Sequence, residues 1–340
     1  MTENFQLPAE WEPHQATWLA WPYDEITFPG RVAKVEKVFS NLIRALCESE
    51  ALELLVRDLP TRDRVSDFLA SQGIELGRVN FHLADYADVW TRDYTPSFTV
   101  DNQNGQTRGI KWIYNAYGNK LPELWKDNEV FKKLDLNLEL VEPKIVMEGG
   151  AIEVNGQGTL LTTELCLLNP NRNPMLTRQQ IEKNLAAHLG VSNIIWLKEG
   201  IVNDHTDGHI DDVARFVAPN KIVCAFEDDE RDENYDILNE AFAILERARD
   251  QNGNPFELVK LPMPHLNYED GAKAPASYTN FYIGNTVVLV PTFNDANDIK
   301  ALEILQSLFP ARKVIGIDST DLIYGGGSVH CVTHEQPRQG

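Results

Sequence analysis

Basic residues are in short supply in this chain: 31 Lys and Arg stand against 51 Asp and Glu, for a formal charge of -20. A surface so acidic repels nucleic acid and anionic membranes, so neither is expected as a main partner, whereas a cationic ligand is drawn in. Apolar runs are also short, and none reaches the length that spans a bilayer. The opening MTENFQLPAEWEP has neither the basic start nor the apolar stretch of a secretion signal, which makes the cytoplasm the expected compartment. Only four cysteines occur, with no C-x-x-C pair, and a chain of 340 residues buries enough surface to need no disulfide or metal staple. No Pro- or Ser-rich linker divides the sequence, so one domain over residues 1–340 is expected.

What is present is a repeat. Three stretches share one order of elements: hairpin, helix, strand. GGAIEVNGQGTLLTTE turns at Asn155-Gly156, a strong hairpin signal between apolar runs. A helix then starts near Thr177, with Thr177 and Gln180 spaced as a capping box and Gly190 as the stop, before the strand NIIWLKEG. The second unit runs from Asp212 through a Pro219-Asn220 turn, the helix NYDILNEAFAILERARD and the strand FELVKLPMP. The third turns at Gly284-Asn285, and its helix is expected to bury Ile299, Leu302, Ile304, Leu305 and Leu308 on one face. The front half fits less cleanly, with helices at 31–48 and TRDRVSDFLASQG and a hairpin within 92–117. Four or five ββαβ units closing around an axis are therefore expected, in the α/β class.

Polar clusters stand just before or at the start of each hairpin: WTRD (Trp90 to Asp93), MEGG (Glu148), HTDGHIDD (His209, Asp211), YTN (Asn280) and HC (Cys331). In a ring of units these clusters converge on one central pocket. Cys47, Cys166 and Cys224 lie in apolar stretches and read as core thiols. Cys331 instead lies in GGGSVHCVTHEQP, where glycines allow close approach of a ligand and His330 and His334 are near in sequence. A strand through His209 and Asp211 places an imidazole suited to proton transfer beside a carboxylate. Asp93 and Glu148 add further acids, each of which alone is more often a surface charge or a cap. Carboxylates around one cysteine raise its pKa, unless the ligand brings positive charge. A guanidinium does so: it is planar, always charged, pairs with carboxylates, and has an electrophilic central carbon.

Six motifs carry a resemblance: PAEWEPHQATWLAWP (8–22), DVWTRDYTP (88–96), MEGGAIEVNG (147–156), TDGHIDDVARFV (206–217), ASYTNFYIGN (276–285) and GGGSVHCVTHEQP (325–337). Together, and in this order nearly end to end, they resemble the agmatine deiminase and bacterial peptidyl-arginine deiminase family of guanidine-modifying enzymes. The resemblance implies a fivefold pseudosymmetric α/β propeller (pentein) of ββαβ units. It implies Cys331 as nucleophile, His209 as general acid and then base, Asp93 and Asp211 as holders of the guanidinium, and Glu148 assisting beside His209. Trp90 and Asn280 match pocket-lining positions, and Asp88 and Gly327 from the same motifs complete the expected substrate-binding set. No metal and no organic cofactor is implied, and a homo-oligomer is compatible with the sequence.

The chain also departs from typical agmatine deiminases. It has WPYDEITFPG (21–30) where they carry WPxRPDNW, Thr95 where they usually have Gly, and Ser328 and His334 around the cysteine where Asn and Gln are usual. Agmatine, a small dication, is the expected substrate on charge and compartment, with arginine in a peptide the alternative. Two rivals lie outside this reading. One is a metal hydrolase using His205, Asp207, His209, Asp211, His330, Cys331 and His334. The other is a binding module with the pocket kept and the chemistry lost.

Overall fold

The computed structural model describes residues 4–338. Five sheets account for its strands, and each repeats one pattern. Glu153–Val154 pairs antiparallel with Thr159–Thr163, the helix Arg178–Leu189 crosses over, and Asn193–Leu197 returns parallel to the second strand. The same hairpin, helix and parallel return recur in Ala214–Ala218, Lys221–Phe226, Tyr235–Arg247 and Glu257–Pro262. They recur again in Tyr282–Ile283, Val287–Thr292, Asp298–Leu308 and Lys313–Asp318.

The front half obeys the pattern once the two ends of the chain are brought together. His334–Pro337 pairs antiparallel with His14–Ala20, so the hairpin of this unit is built from opposite ends of the sequence. The helix Val32–Leu46 then leads to Ala51–Val56, and Leu59–Ser71 to Val79–Leu83, both parallel returns. In the remaining unit Ser97–Asp101 and Thr107–Ile110 form the hairpin, a 3-10 stretch Pro122–Glu129 replaces the helix, and Glu139–Val141 returns.

The cores show how the units are arranged. Five apolar clusters are found among the described residues, and each bridges two neighbouring units. Trp18 and Leu55 meet Phe98 and Phe131; Ile110 and Trp112 meet Leu160 and Leu185; Leu161 and Leu197 meet Phe216 and Leu238. Val217 and Val223 then meet Phe281 and Leu305, and Tyr282 and Leu289 meet Leu19 and Phe39, which closes the ring. This is the fivefold α/β propeller. Because each unit buries its apolar face against the next rather than on itself, no unit has a complete core alone.

Local signals hold with few exceptions. The capping box at Thr177 and Gln180 is formed, and Gly190 closes the helix at φ 68. Ile299 is a correction: it is 70% exposed in the first turn of its helix, where Ala301 and Leu305 carry the buried face and Leu302, Ile304 and Leu308 only border it. No helix among the described residues is long and apolar enough to cross a membrane.

Candidate active site

The polar clusters meet where the units converge. Asp93 lies in the short helix Thr91–Tyr94, Glu148 caps the 3-10 turn Gly149–Ala151, His209 and Asp211 flank Ile210 at another such turn, and Asn280 and Cys331 stand just ahead of their strands. His209 and Asp211 are thus not in a strand. Their shared direction comes from the turn Ile210–Asp212, which ends the connection before the sheet begins. Cys331 likewise sits in a turn before His334–Pro337 rather than in the strand itself.

Gly150 shows how tightly three of these side chains close in. A Cβ placed there would stand 2.5 Å from His209 Nδ1, 3.0 Å from Asp93 Oδ1 and 3.1 Å from Asp211 Oδ2. Gly150 N–H donates to Asp93 Oδ1 (3.0 Å), and the Tyr117 hydroxyl donates to Oδ2 (2.8 Å). His209 Nδ1 is 3.7 Å from Asp93 Oδ1, and its Nε2 has no hydrogen-bond partner although it is buried. Asp211 receives His330 Nδ1 on Oδ2 at 2.7 Å, and its Oδ1 is also buried without a partner. Two buried polar atoms left open in one pocket point to a ligand that satisfies them.

Cys331, 8% exposed, is held from the other side. Asn280 Nδ2 lies 3.2 Å from Sγ and also donates to Asp212 Oδ1 at 3.1 Å. Asn280 itself is fixed through its Oδ1, which accepts from Ser328 Oγ (2.8 Å) and the His330 N–H (2.9 Å). Trp90 forms a wall against the Gly325–Gly327 segment: a Cβ on Gly327 would come within 2.8 Å of the indole and 3.1 Å of Sγ. Asp88 supports that wall. Its oxygens accept from Trp90 Nε1 (2.9 Å), Thr27 Oγ1 (2.8 Å) and the Val89 N–H (2.8 Å), so it is engaged by the protein on both oxygens. Glu148 is ion-paired with buried Arg172 at 2.9 Å, and one of its oxygens lies within 4.8 Å of a ring nitrogen of His209.

Electrostatics follow from burial and crowding. Burial pushes the Cys331 thiol well up, and Asp211, Asp212 and Asp93 push it further. Burial raises Asp93 to about 6, against the pull of His209, and raises Asp88 to about 6. Burial also opposes the charge on His209, yet Asp93, Asp211 and Glu148 together raise its pKa. Asp211 differs from Asp93 and Asp88: burial alone would raise it, but the bond and charge of His330 hold it below the usual carboxylate range. Buried surroundings lined by acids in this way disfavour a thiolate and favour a cation.

The departures noted in the sequence fall around this pocket. Thr27 bonds Asp88, while the Phe28 ring centroid is 6.0 Å from that of Trp90. Ser328 holds Asn280, and His334 Nδ1–H donates to the Arg92 carbonyl at 3.2 Å, with burial pushing the imidazole pKa down to about 3. The donors suggested for a metal do not gather as a set: Asp207 pairs with Arg172 and Lys120, and His330 is spent on two carboxylates. Glu148, Cys166 and His209 do lie within 4.8 Å of one another, but the Arg172 guanidinium on Glu148 opposes a cation there. The sequence alone did not single out Glu10, Tyr117, Arg172 or Asp212, and it offered His330 only as a neighbour of the cysteine or as a ligand in the rival metal reading. The signals were present for two of these, in PAEWEP and in the HC pair.

Comparison with known proteins agrees with this geometry. The family model for Porphyromonas-type peptidyl-arginine deiminase matches residues 6–337. The agmatine deiminase of Stutzerimonas stutzeri (strain A1501) is 36% identical, with 98% of this chain and 96% of that protein covered. Among solved structures, the agmatine deiminase of Enterococcus faecalis superposes with a TM-score of 0.90 at 30% identity, covering 99% of this chain and 97% of that one. A C. jejuni agmatine deiminase with a cysteine replaced by serine and substrate bound gives 0.87 at 29% identity, covering 98% and 97%.

Proposed function

The chain belongs to the Porphyromonas-type peptidyl-arginine deiminase family, and we propose that it hydrolyses agmatine to N-carbamoylputrescine and ammonia through a covalent bond to Cys331. The observation that carries this is a buried thiol ringed by Asp93, Asp211 and Asp212, which oppose its ionisation until a cation arrives. A guanidinium supplies that cation. The open Oδ1 of Asp211 and the carboxylate of Asp93 take its N–H groups, and the central carbon comes to Sγ. Agmatine is favoured because relatives named agmatine deiminases, those of Stutzerimonas stutzeri and Enterococcus faecalis among them, match nearly the whole chain.

The steps balance in charge and protons. Guanidinium binding lets Cys331 release its proton to solvent, and the thiolate Sγ attacks the central carbon to give a neutral tetrahedral adduct. His209, kept protonated by its carboxylates, gives a proton to one nitrogen, the C–N bond breaks and ammonia departs. A cationic amidino-thioether remains, still paired with Asp93 and Asp211. Neutral His209 then takes a proton from water, the hydroxide adds to the carbon, and the C–S bond breaks to return the thiolate. The ureido product leaves after losing its proton to solvent. Asp93 and Asp211 orient and neutralise throughout without forming bonds to carbon.

Ammonia release with EDTA present, from agmatine, free arginine and a blocked peptidyl-arginine in parallel, tests the proposal. Turnover of agmatine alone is expected. Release from the peptide alone would keep the Cys331 chemistry and overturn the substrate, and loss of activity to EDTA would overturn the thiol mechanism.

A further inference from the structure

Glu10 lies far from the other site residues in sequence, yet it touches four of the five units at the ring axis. Its Oε1 accepts from the Ile283 N–H at 2.7 Å and pairs with Arg215 Nη2 at 2.9 Å. Its Oε2 lies 3.3 Å from Arg92 Nη2 and 2.8 Å from His330 Nε2. The other ring nitrogen of His330 reaches Asp211 Oδ2 at 2.7 Å. All these side chains are buried. His330 is therefore clamped between two carboxylate oxygens, and with both acids ionised each ring nitrogen donates a proton. Arg215 and Arg92 balance the second acid, and Glu153 balances Arg215 at 2.8 Å.

We propose that Glu10 and His330 are positioning residues for the guanidine reaction: a histidine strap, anchored at the ring axis by Glu10, that pins one oxygen of Asp211 and leaves the other oxygen free for substrate. This follows from the distribution of partners. Asp93 has both oxygens engaged by the protein, from Gly150 and Tyr117, and its pKa is raised. Asp211 has one oxygen held by His330, the other open, and its pKa is lowered. The strap gives the two substrate-facing acids different tasks, Asp211 being the one that keeps an oxygen open for the guanidinium. It also ties catalysis to ring closure, because Glu10 comes from the segment ahead of His14–Ala20 and His330 from the segment ahead of His334–Pro337, the two strands that join the chain ends.

The role rests on the proposed deiminase reading, so the test separates the two. His330→Gln retains one amide donor for Asp211 but no charge, and Glu10→Gln retains size while removing the anchoring charge. Both variants are expected to fold, by circular dichroism, and to lose about 10- to 100-fold in kcat/KM for agmatine, mostly in kcat, since misplacement of about 1 Å carries a cost of this order. His330→Ala should be worse than His330→Gln, because the glutamine restores one bond to Asp211. If both glutamine variants, corrected for folded fraction, turn over within about two-fold of the unaltered protein in the range of ordinary surface changes, the strap is overturned and the contacts are structural only. If the unaltered protein leaves agmatine intact, the substrate reading fails, and the strap is then judged by proton NMR of the resting protein. Two downfield ring N–H signals that disappear together in His330→Gln support it, and one signal or none contradicts it.

Discussion

Gly150 leaves no space for a methyl group, since its virtual Cβ already lies inside contact distance of His209 and Asp93. Gly150→Ala should therefore displace the imidazole and lower turnover by about 10²-fold or more, while circular dichroism shows an intact fold. An unchanged rate would mean that His209 acts from a different position. Asp93 carries a second prediction at this scale. Its folded pKa is raised from 3.8 to about 6, so between those values the folded protein holds the proton that the unfolded chain has lost. This acid thus removes stability as pH rises through that window. Asp93→Asn should become progressively more stable relative to the unaltered protein from pH 3.8 to about 6, measured by urea denaturation at each pH. In the unaltered enzyme kcat/KM should fall below pH about 6, where Asp93 is protonated before the guanidinium binds. Cys331, His209, Asp93 and Asp211 were legible because each stands in a polar cluster at the start of a repeat. Glu10 and Arg172 were not: their partners lie at long range, and although PAEWEP belongs to a recognisable motif, nothing in it tells that Glu10 docks against Arg215.

At the level of single elements, the clearest sequence signals concern helix ends and tight turns, whose physics is local. Thr177 accepts from the Gln180 N–H, and Gln180 returns a bond to the Thr177 N–H. Thr177→Ala should lower stability by about 1 kcal/mol, in the usual range for a lost cap, and leave ammonia release unchanged, because the helix is remote from Cys331. Chemical denaturation and the activity assay check both halves. Ile299 marks the limit of periodicity: five apolar residues at helical spacing define a face, but not how that face is rotated against the sheet. The pair His209 and Asp211 shows another limit. Alternation suits a strand, and the 3-10 turn that replaces it depends on the packing of the connection rather than on the two residues.

For the whole molecule, the repeat was visible in the three later units because each is continuous in sequence. The first unit was obscured because its hairpin joins His14–Ala20 to His334–Pro337, a pairing that only tertiary closure creates. The fivefold count followed from the family resemblance rather than from the residues read unit by unit. The chain as a whole carries a formal charge of -20, which attracts a cationic substrate at long range. Long-range attraction of this kind is screened over a Debye length of about 10 Å at 0.1 M salt. The kcat/KM for agmatine should therefore fall several-fold as ionic strength rises from about 0.01 to 0.5 M, chiefly through slower association. A flat dependence would assign the acidic surface to solubility alone.

The covalent bond to Cys331 is tested most directly by the mass of the protein quenched in acid during turnover of agmatine. The account expects an adduct equal to agmatine less ammonia, carried by the peptide that contains Cys331. A protein that is turning over, carries no such adduct at any quench time and loses its activity to EDTA would contradict it.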